Sequence, residues 1–586
     1  MTNRAGAAWT RRTNHGRTGR RRLLCAAGIA ALAAAGGGGT AHAQALDDFR
    51  PVTDAVLQNP DAGDWIHWRR TLDAQGHSPL DEITPANAGE LRLVWSWALA
   101  EGSQQTTPLA YGGVLYIANP GERVQAIDGA TGELLWEYQR ARQPREDGSR
   151  PANRQHRNLA IYQDKIYLNT SDAHIVALDA RTGEEVWDSD IGGGVGYRYT
   201  SGSIIADGKV FSGLTGCDRY RDDTCYIIGL DAATGRELWR TSTVARPGER
   251  GGDTWGDLPV MFRAGSDAWI PGSYDPGHGT VYFGTAQAKP WARSVRGTDG
   301  DALYTNSTLA LDPASGEMKW YFQHLPGESH DMDETFERIL VDYDDRQSVF
   351  TMGKIAVLWE LDRGSGEFRN AHDLGYQTLF DIHAETGRAT YREGMVQEIG
   401  EEIHWCPSTA GFKSWRAMSY NPDTEAFYIP LNLNCETGIF GPVEKREGGG
   451  GAGPVRRTNH FHPHSPEHIG EFLAMSMRTG KVLWRHRTRT PMNTAALTTS
   501  GGIAVAGDWD RYLYVYDART GDVLWQTRLP TSVQGYPISY EAGGKQYLAV
   551  PAGIGGASWN NLVPSDLTPE KRHPPTGNSV FVFALP

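Results

Sequence analysis

Residues 515–525 read VYDARTGDVLW, and the same eleven-residue phrase recurs at 126–136 (AIDGATGELLW), 177–187 (ALDARTGEEVW), 229–239 (GLDAATGRELW), 310–320 (ALDPASGEMKW) and 474–484 (AMSMRTGKVLW). Residues 360–370 (ELDRGSGEFRN) are a seventh copy that has lost its tryptophan. Each copy reads as strand, tight turn and strand. Apolar residues lead in, an Asp begins the turn, Thr/Ser-Gly supplies positive φ, and alternating residues end in Trp. A Trp at a fixed offset suits docking between neighbouring sheets. The final positions lie 51, 52, 81, 50, 114 and 41 residues apart. A period of about 40 to 50 residues with four strands per unit is the signature of a β-propeller.

The 114-residue gap has room for two units, and residues 420–430 (YNPDTEAFYIP) resemble the missing hairpin. The sequence therefore predicts an all-β, eight-bladed β-propeller with tryptophan-docking repeats, one domain over residues 44–586. A closing strand at 579–585 (SVFVFAL) is expected to pair with 91–97, leaving no open edge. The extra length between Trp239 and Trp320 and between Asn370 and Trp484 is expected to emerge as loops.

Composition agrees with this. The 586 residues include 70 Gly, 31 Pro, 19 Trp and 24 Tyr, which excludes wholesale disorder and long coiled coil. A formal charge of −13 argues against a nucleic-acid partner. Outside the N-terminus no stretch approaches the ~20 apolar residues of a membrane helix.

Residues 1–43 carry seven arginines and no acid, then an apolar run from Leu23 to Ala35 and the small-residue site Ala41-His42-Ala43. That is the order of a secretory signal peptide, which marks the mature protein for export, and its loss takes the charge from −13 to −20. Arg20-Arg21-Arg22 leaves both general and twin-arginine export open. Cys217, Cys225, Cys406 and Cys435 remain. Three pairings are formally possible; 217 with 225 and 406 with 435 is expected, because each couple lies within one repeat-sized stretch. The absence of C-x-x-C-H excludes covalent c-type haem.

A propeller does not name a function, and an exported, non-catalytic docking scaffold is one reading of the repeats. Residues 326–334 (PGESHDMDE) point elsewhere. Asp331 and Asp333, two apart, face one side of an extended segment and suit a hard, highly charged cation.

The repeats, residues 282–291 (YFGTAQAKPW) and the order PGESHDMD after DPASGEMKWYFQ resemble the pyrroloquinoline quinone-dependent alcohol dehydrogenases over essentially the whole mature chain. The resemblance implies a periplasmic propeller that oxidises a primary alcohol to an aldehyde, with a metal ion beside the quinone and electrons leaving to a separate soluble c-type cytochrome. Asp331 matches the catalytic base, and Asp333 the extra metal-binding aspartate of lanthanide-dependent members. A lanthanide is therefore favoured, with calcium as the alternative. Asp218 (in GLTGCD, 213–218) and Gln287 fall where the family has a ligand glutamate and asparagine. Trp269, ahead of Asp275-Pro276, matches the residue stacked under the quinone. Arg157, Thr200, Thr215 and Gly216 match contacts to its carboxylates and polar edge. Lys354 matches the cation near its oxygens, where developing negative charge is stabilised.

The chain also departs from the family. Residues 152–157 (ANRQHR) lack an adjacent cysteine pair, Ser414 replaces an asparagine that contacts the quinone, and Gln105 replaces a glutamate. His460, His462, His464 and His468 are expected in an exposed loop rather than a zinc site.

Overall fold

In each repeat the leading Asp closes its own turn. The Asp128 Oδ1 accepts from the backbone N–H of Ala130 at 3.0 Å and Thr131 at 2.8 Å, and Gly132 N–H donates to the Asp128 carbonyl at 2.8 Å. Asp179, Asp312, Asp362 and Asp517 repeat this pattern. The turn glycines Gly132, Gly183, Gly235, Gly316, Gly366 and Gly521 hold φ between 72° and 79°, the left-handed region in which a side chain is strained.

The computed structural model describes residue 46 and residues 48–141, 155–192, 196–451, 453–555, 559–574 and 576–586. The signal peptide expected at 1–43 and residues 152–154 lie outside these. Among the described residues, seven sheets have four strands and another has five. In the first, Leu109–Tyr111, Val114–Asn119, Arg123–Asp128 and Leu134–Gln139 pair antiparallel in chain order. The hairpin expected at 420–430 forms from Ser419–Asn421 and Ala426–Asn432, and continues into Gly470–Ser476 and Val482–Thr488. The last sheet is closed by Arg92–Ala98 against Ser579–Ala584, with Arg92 opposite Ala584.

First strands such as Ala160–Tyr162 are buried throughout, whereas fourth strands such as Glu185–Asp190 are largely exposed. The first strands therefore face the interior. Between sheets, the Trp136 indole N–H donates to the Ala180 carbonyl at 3.0 Å, and a Cβ on Gly183 would stand 2.5 Å from the Trp136 ring. Trp95, Trp239 and Trp484 donate likewise to Gly129, Pro313 and Ala518.

Residues 68–78 cross the first strands of four successive sheets. The carbonyls of Leu72, Asp73 and Gln75 accept from Tyr274, Leu340 and Tyr420, each at 2.9 Å, and that of Gly76 accepts from Thr498 at 3.4 Å.

The insertions are more ordered than the sequence suggested. Within the 114-residue gap, Phe380–Ile382 pairs with Ala389–Tyr391, and Glu402–Trp405, Asn434–Phe440 and Pro454–Phe461 form a three-stranded sheet. The histidines are not a uniformly exposed loop. His460 lies in that sheet and bonds Thr437 at 2.8 Å, while His462 is buried with Nε2 2.9 Å from the Tyr376 carbonyl. Only His464 of these four is fully exposed. The disulfides are Cys217–Cys225 and Cys406–Cys435.

Candidate active site

Asp331 and Asp333 sit on the connection between Met318–Gln323 and Ile339–Tyr343, which are strands of adjacent sheets. Both are buried. Asp331 holds φ at 67°, a left-handed conformation that costs a non-glycine residue energy. Lys354, just beyond the strand Arg346–Met352, enters from the next sheet. Its Nζ lies 3.1 Å from Oδ2 of both Asp331 and Asp333 and donates to the Asp331 carbonyl at 2.7 Å. The Lys354 N–H donates to the Asp333 carbonyl at 3.1 Å. Gly411 leaves room for the lysine stem, since a Cβ there would meet Lys354 Cγ at 2.4 Å.

Burial pushes the Asp331 carboxyl above the usual carboxylate range; Lys354 opposes this and Asp333 adds to it. Burial also disfavours the Lys354 charge, but the two carboxylates outweigh it and hold the ammonium above its ordinary value. Lys354 thus keeps its proton, and burial raises the affinity of Asp331 for one.

Gln287 joins this pair. Its Nε2 donates to Asp331 Oδ1, its N–H donates to Asp333 Oδ1 at 3.3 Å, and its Oε1 is buried with no hydrogen-bond partner. Rotating the amide by half a turn would bring Oε1 toward Asp331 Oδ1. Carboxylate oxygens and an orphaned amide oxygen are the donor set a hard cation requires, so these residues fit a metal ion.

Asp218 stands apart. Its side chain is one-third exposed, its ion pair is with Arg219 at 3.6 Å, and the charge of Lys289 acts on it as on Asp331.

Trp269 precedes the first strand Ser273–Asp275 and is half-buried. The Arg157 guanidinium lies 4.8 Å from the ring centroid, Phe336 packs edge-on at 5.3 Å, and Arg157 also donates to the Thr200 carbonyl at 3.0 Å. Thr215 and Arg198 exchange backbone bonds at 3.0 Å, and the Thr215 hydroxyl donates to the Arg198 carbonyl at 2.8 Å. Gly216, with φ at 94°, donates to Asp267 Oδ1 at 2.9 Å. Ser414 is buried beside Lys413, whose ammonium pairs with Glu337 at 2.8 Å. A half-buried indole with a guanidinium over it is a platform for a flat anionic ring.

Sequence reasoning missed Asp267, which is buried and accepts from both Gly216 and Cys217; burial raises its pKa. Its signal was an acid two positions before Trp269. It also missed Glu334, whose two carboxylate oxygens are buried without partners and whose pKa burial raises. A cavity of about 310 Å³ is lined by Ser408, Thr409, Glu436, Arg457, Asn459 and Asp566 among others, and the charge of Lys354 acts on Glu436 in its wall.

A buried acid, a partnered lysine, a hard-cation donor set and an aromatic platform suit a redox centre built around a planar cofactor. The chain belongs to the PQQ family described as glucose/ethanol/alcohol dehydrogenase, β-propeller domain, whose model matches residues 65–368 and 467–548. It is 30% identical to a quinoprotein ethanol dehydrogenase of Pseudomonas aeruginosa over 94% of each chain. It is 31% identical to the quinoprotein alcohol dehydrogenase PedH of Pseudomonas putida over 89% of this chain and 90% of that one. Among solved structures, quinohemoprotein alcohol dehydrogenase ADHIIG of Pseudomonas putida superposes with a TM-score of 0.82 at 26% identity, covering 92% of this chain and 83% of that one. A europium-containing methanol dehydrogenase shares the fold, with a TM-score of 0.81 at 23% identity over 90% of this chain and 99% of that one. The protein is a PQQ-dependent alcohol dehydrogenase, a quinoprotein.

Proposed function

We propose that this quinoprotein oxidises a primary alcohol to an aldehyde in the periplasm, after removal of residues 1–43, and passes its electrons to a separate soluble c-type cytochrome. The observation that carries the reading is the buried trio of Asp331, Asp333 and Lys354, with Lys354 Nζ 3.1 Å from each carboxylate. When bound, the quinone supplies a two-electron hydride acceptor and the metal supplies Lewis acidity beside it. Asp331 accepts the alcohol proton at its carboxylate, the role favoured by a raised affinity for protons. Lys354 holds Asp331 in place and presents positive charge where negative charge develops. Asp331, Asp333 and Gln287 would hold the metal, with Asp218 as the further ligand that the family resemblance implies. Asp333 adds an anionic oxygen, which favours a trivalent lanthanide over calcium.

Trp269 would carry the quinone, and Arg157, Thr200, Thr215, Gly216 and Ser414 would meet its polar groups. The eight sheets are read as the eight blades of a ring, docked to one another through the repeat tryptophans. No helix of the described residues is long and apolar enough to cross a membrane.

The test is reconstitution of quinone-free protein with pyrroloquinoline quinone. Uptake is followed by absorbance and dye reduction is measured across a panel of primary alcohols. Wild type should take up about one equivalent and turn over. Asp331→Asn should take up quinone but lose on the order of 10²-fold or more in turnover. Failure to bind quinone would favour the docking scaffold instead.

A further inference from the structure

Beyond the redox centre, the interior holds an unbalanced charge. Arg416 is fully buried, and its Nε and both terminal nitrogens have no hydrogen-bond partner among the described residues. Arg69, also fully buried, donates through one terminal nitrogen to the carbonyls of Met418 at 3.0 Å and Ala496 at 2.7 Å, and leaves Nε and its other terminal nitrogen unpartnered. Arg157 leaves its Nε unpartnered. All three guanidinium groups act on the buried Tyr536, whose hydroxyl donates to the Trp415 carbonyl and whose ring stacks on Trp415 at 6.2 Å. The carboxylate within reach, Glu337, is already bound by Lys413 at 2.8 Å and by the Met418 N–H at 2.8 Å.

Burying one unpaired guanidinium costs several kcal/mol, and like charges around one phenol add to that cost. Burial lowers the Arg416 pKa only to about 9, so the group remains charged at neutral pH. The charge must be met by an anion.

We propose that Arg416, Arg69 and Tyr536 form a buried site for a compact monovalent anion of the halide class, beside the quinone platform, from which Arg157 reaches its margin. Trp269 is half-buried, whereas Arg416 and Arg69 are closed off entirely, Arg69 within the segment that crosses the first strands. A closed, small, strongly cationic space selects a compact ion over an extended one.

The test uses quinone-free full-length protein in gluconate buffer, titrated with sodium chloride or bromide at constant ionic strength while thermal unfolding is followed. Wild type should gain several degrees, with saturation, because the anion binds the folded state. Arg416→Met, which removes the charge at similar length, should be at least as stable as wild type in gluconate and should lose the halide increment. Crystals soaked in bromide should show anomalous density in contact with Arg416, a readout that stands even if the variant fails to fold. The proposal is overturned if wild type shows no saturable increment, if Arg416→Met keeps it, or if no bromide lies at Arg416. It is equally overturned if quinone abolishes the halide response and Arg416→Met loses quinone affinity, since the cluster would then belong to the cofactor's carboxylates.

Discussion

Lys354 grips Asp331 at two points, donating to its backbone carbonyl at 2.7 Å and lying 3.1 Å from its Oδ2. The first contact holds a residue whose φ of 67° is otherwise disfavoured, and the second sets the charge of its side chain. Lys354→Met would leave Asp331 and Asp333 buried without their cation, at a cost of about 3 to 5 kcal/mol. Asp331 would then stay protonated at neutral pH. The expected outcome is a lower urea midpoint together with loss of dye-linked turnover. Lys354→Arg should recover more of the stability than of the turnover, because a planar fork cannot occupy the ammonium's place between two Oδ2 atoms.

The turn glycines carry a second prediction. Gly183 combines a φ of 74° with a Cβ position 2.5 Å from the Trp136 ring, whereas exposed Gly248 has a φ of 83° and nothing within 4 Å. Gly248→Ala should cost only the backbone strain, about 1 to 2 kcal/mol. Gly183→Ala adds displacement of an indole between two sheets and should cost roughly 2 to 4 kcal/mol. Denaturant unfolding of the two variants checks the difference, and equal losses would remove the indole contact from the account.

Asp508 supplies a pH dependence away from the metal ligands. It is buried, accepts from the Tyr512 N–H at 2.9 Å and from the Tyr514 hydroxyl at 3.1 Å, and burial raises its pKa to about 7. The folded state therefore binds its proton more tightly than the unfolded chain does. Its contribution is fully present below the unfolded carboxylate range and is lost as pH rises toward about 7. The whole shift corresponds to roughly 4 kcal/mol at most. Asp508→Asn, which cannot ionise, should melt higher than wild type at pH 8 and close to it near pH 4. A variant less stable at pH 8 would show that the ionised form is stabilised in the fold.

Much of the fold was legible because its code is local. Asp128 closes its turn with backbone groups two and three residues on, and Gly132 supplies the positive φ, so six positions of one phrase specify a hairpin wherever it occurs. The strand closing the last sheet was legible for a different reason, since 579–585 is an apolar run that pairs with Lys545–Ala552 on one edge and would leave its other edge open unless Arg92–Ala98 covered it. The insertions were not legible, because Glu402–Trp405 finds its partner in Asn434–Phe440 through long-range pairing that no repeat records. In the site, Asp331 and Asp333 stand out as a spaced pair, but their lysine lies in another segment and reads alone as a surface residue. Asp267, Glu334 and Arg416 illustrate the same limit. A charged residue in a sequence is read as solvated, and only the tertiary structure shows that these three are buried.

The most direct test of the central claim is the rate of dye-linked alcohol oxidation by quinone-loaded protein in lanthanum and in calcium, for wild type and Asp333→Ala. Turnover of wild type with lanthanum, abolished in Asp333→Ala, is the predicted result. Full wild-type turnover in calcium that Asp333→Ala leaves unchanged would contradict the assignment of Asp333 to a lanthanide site.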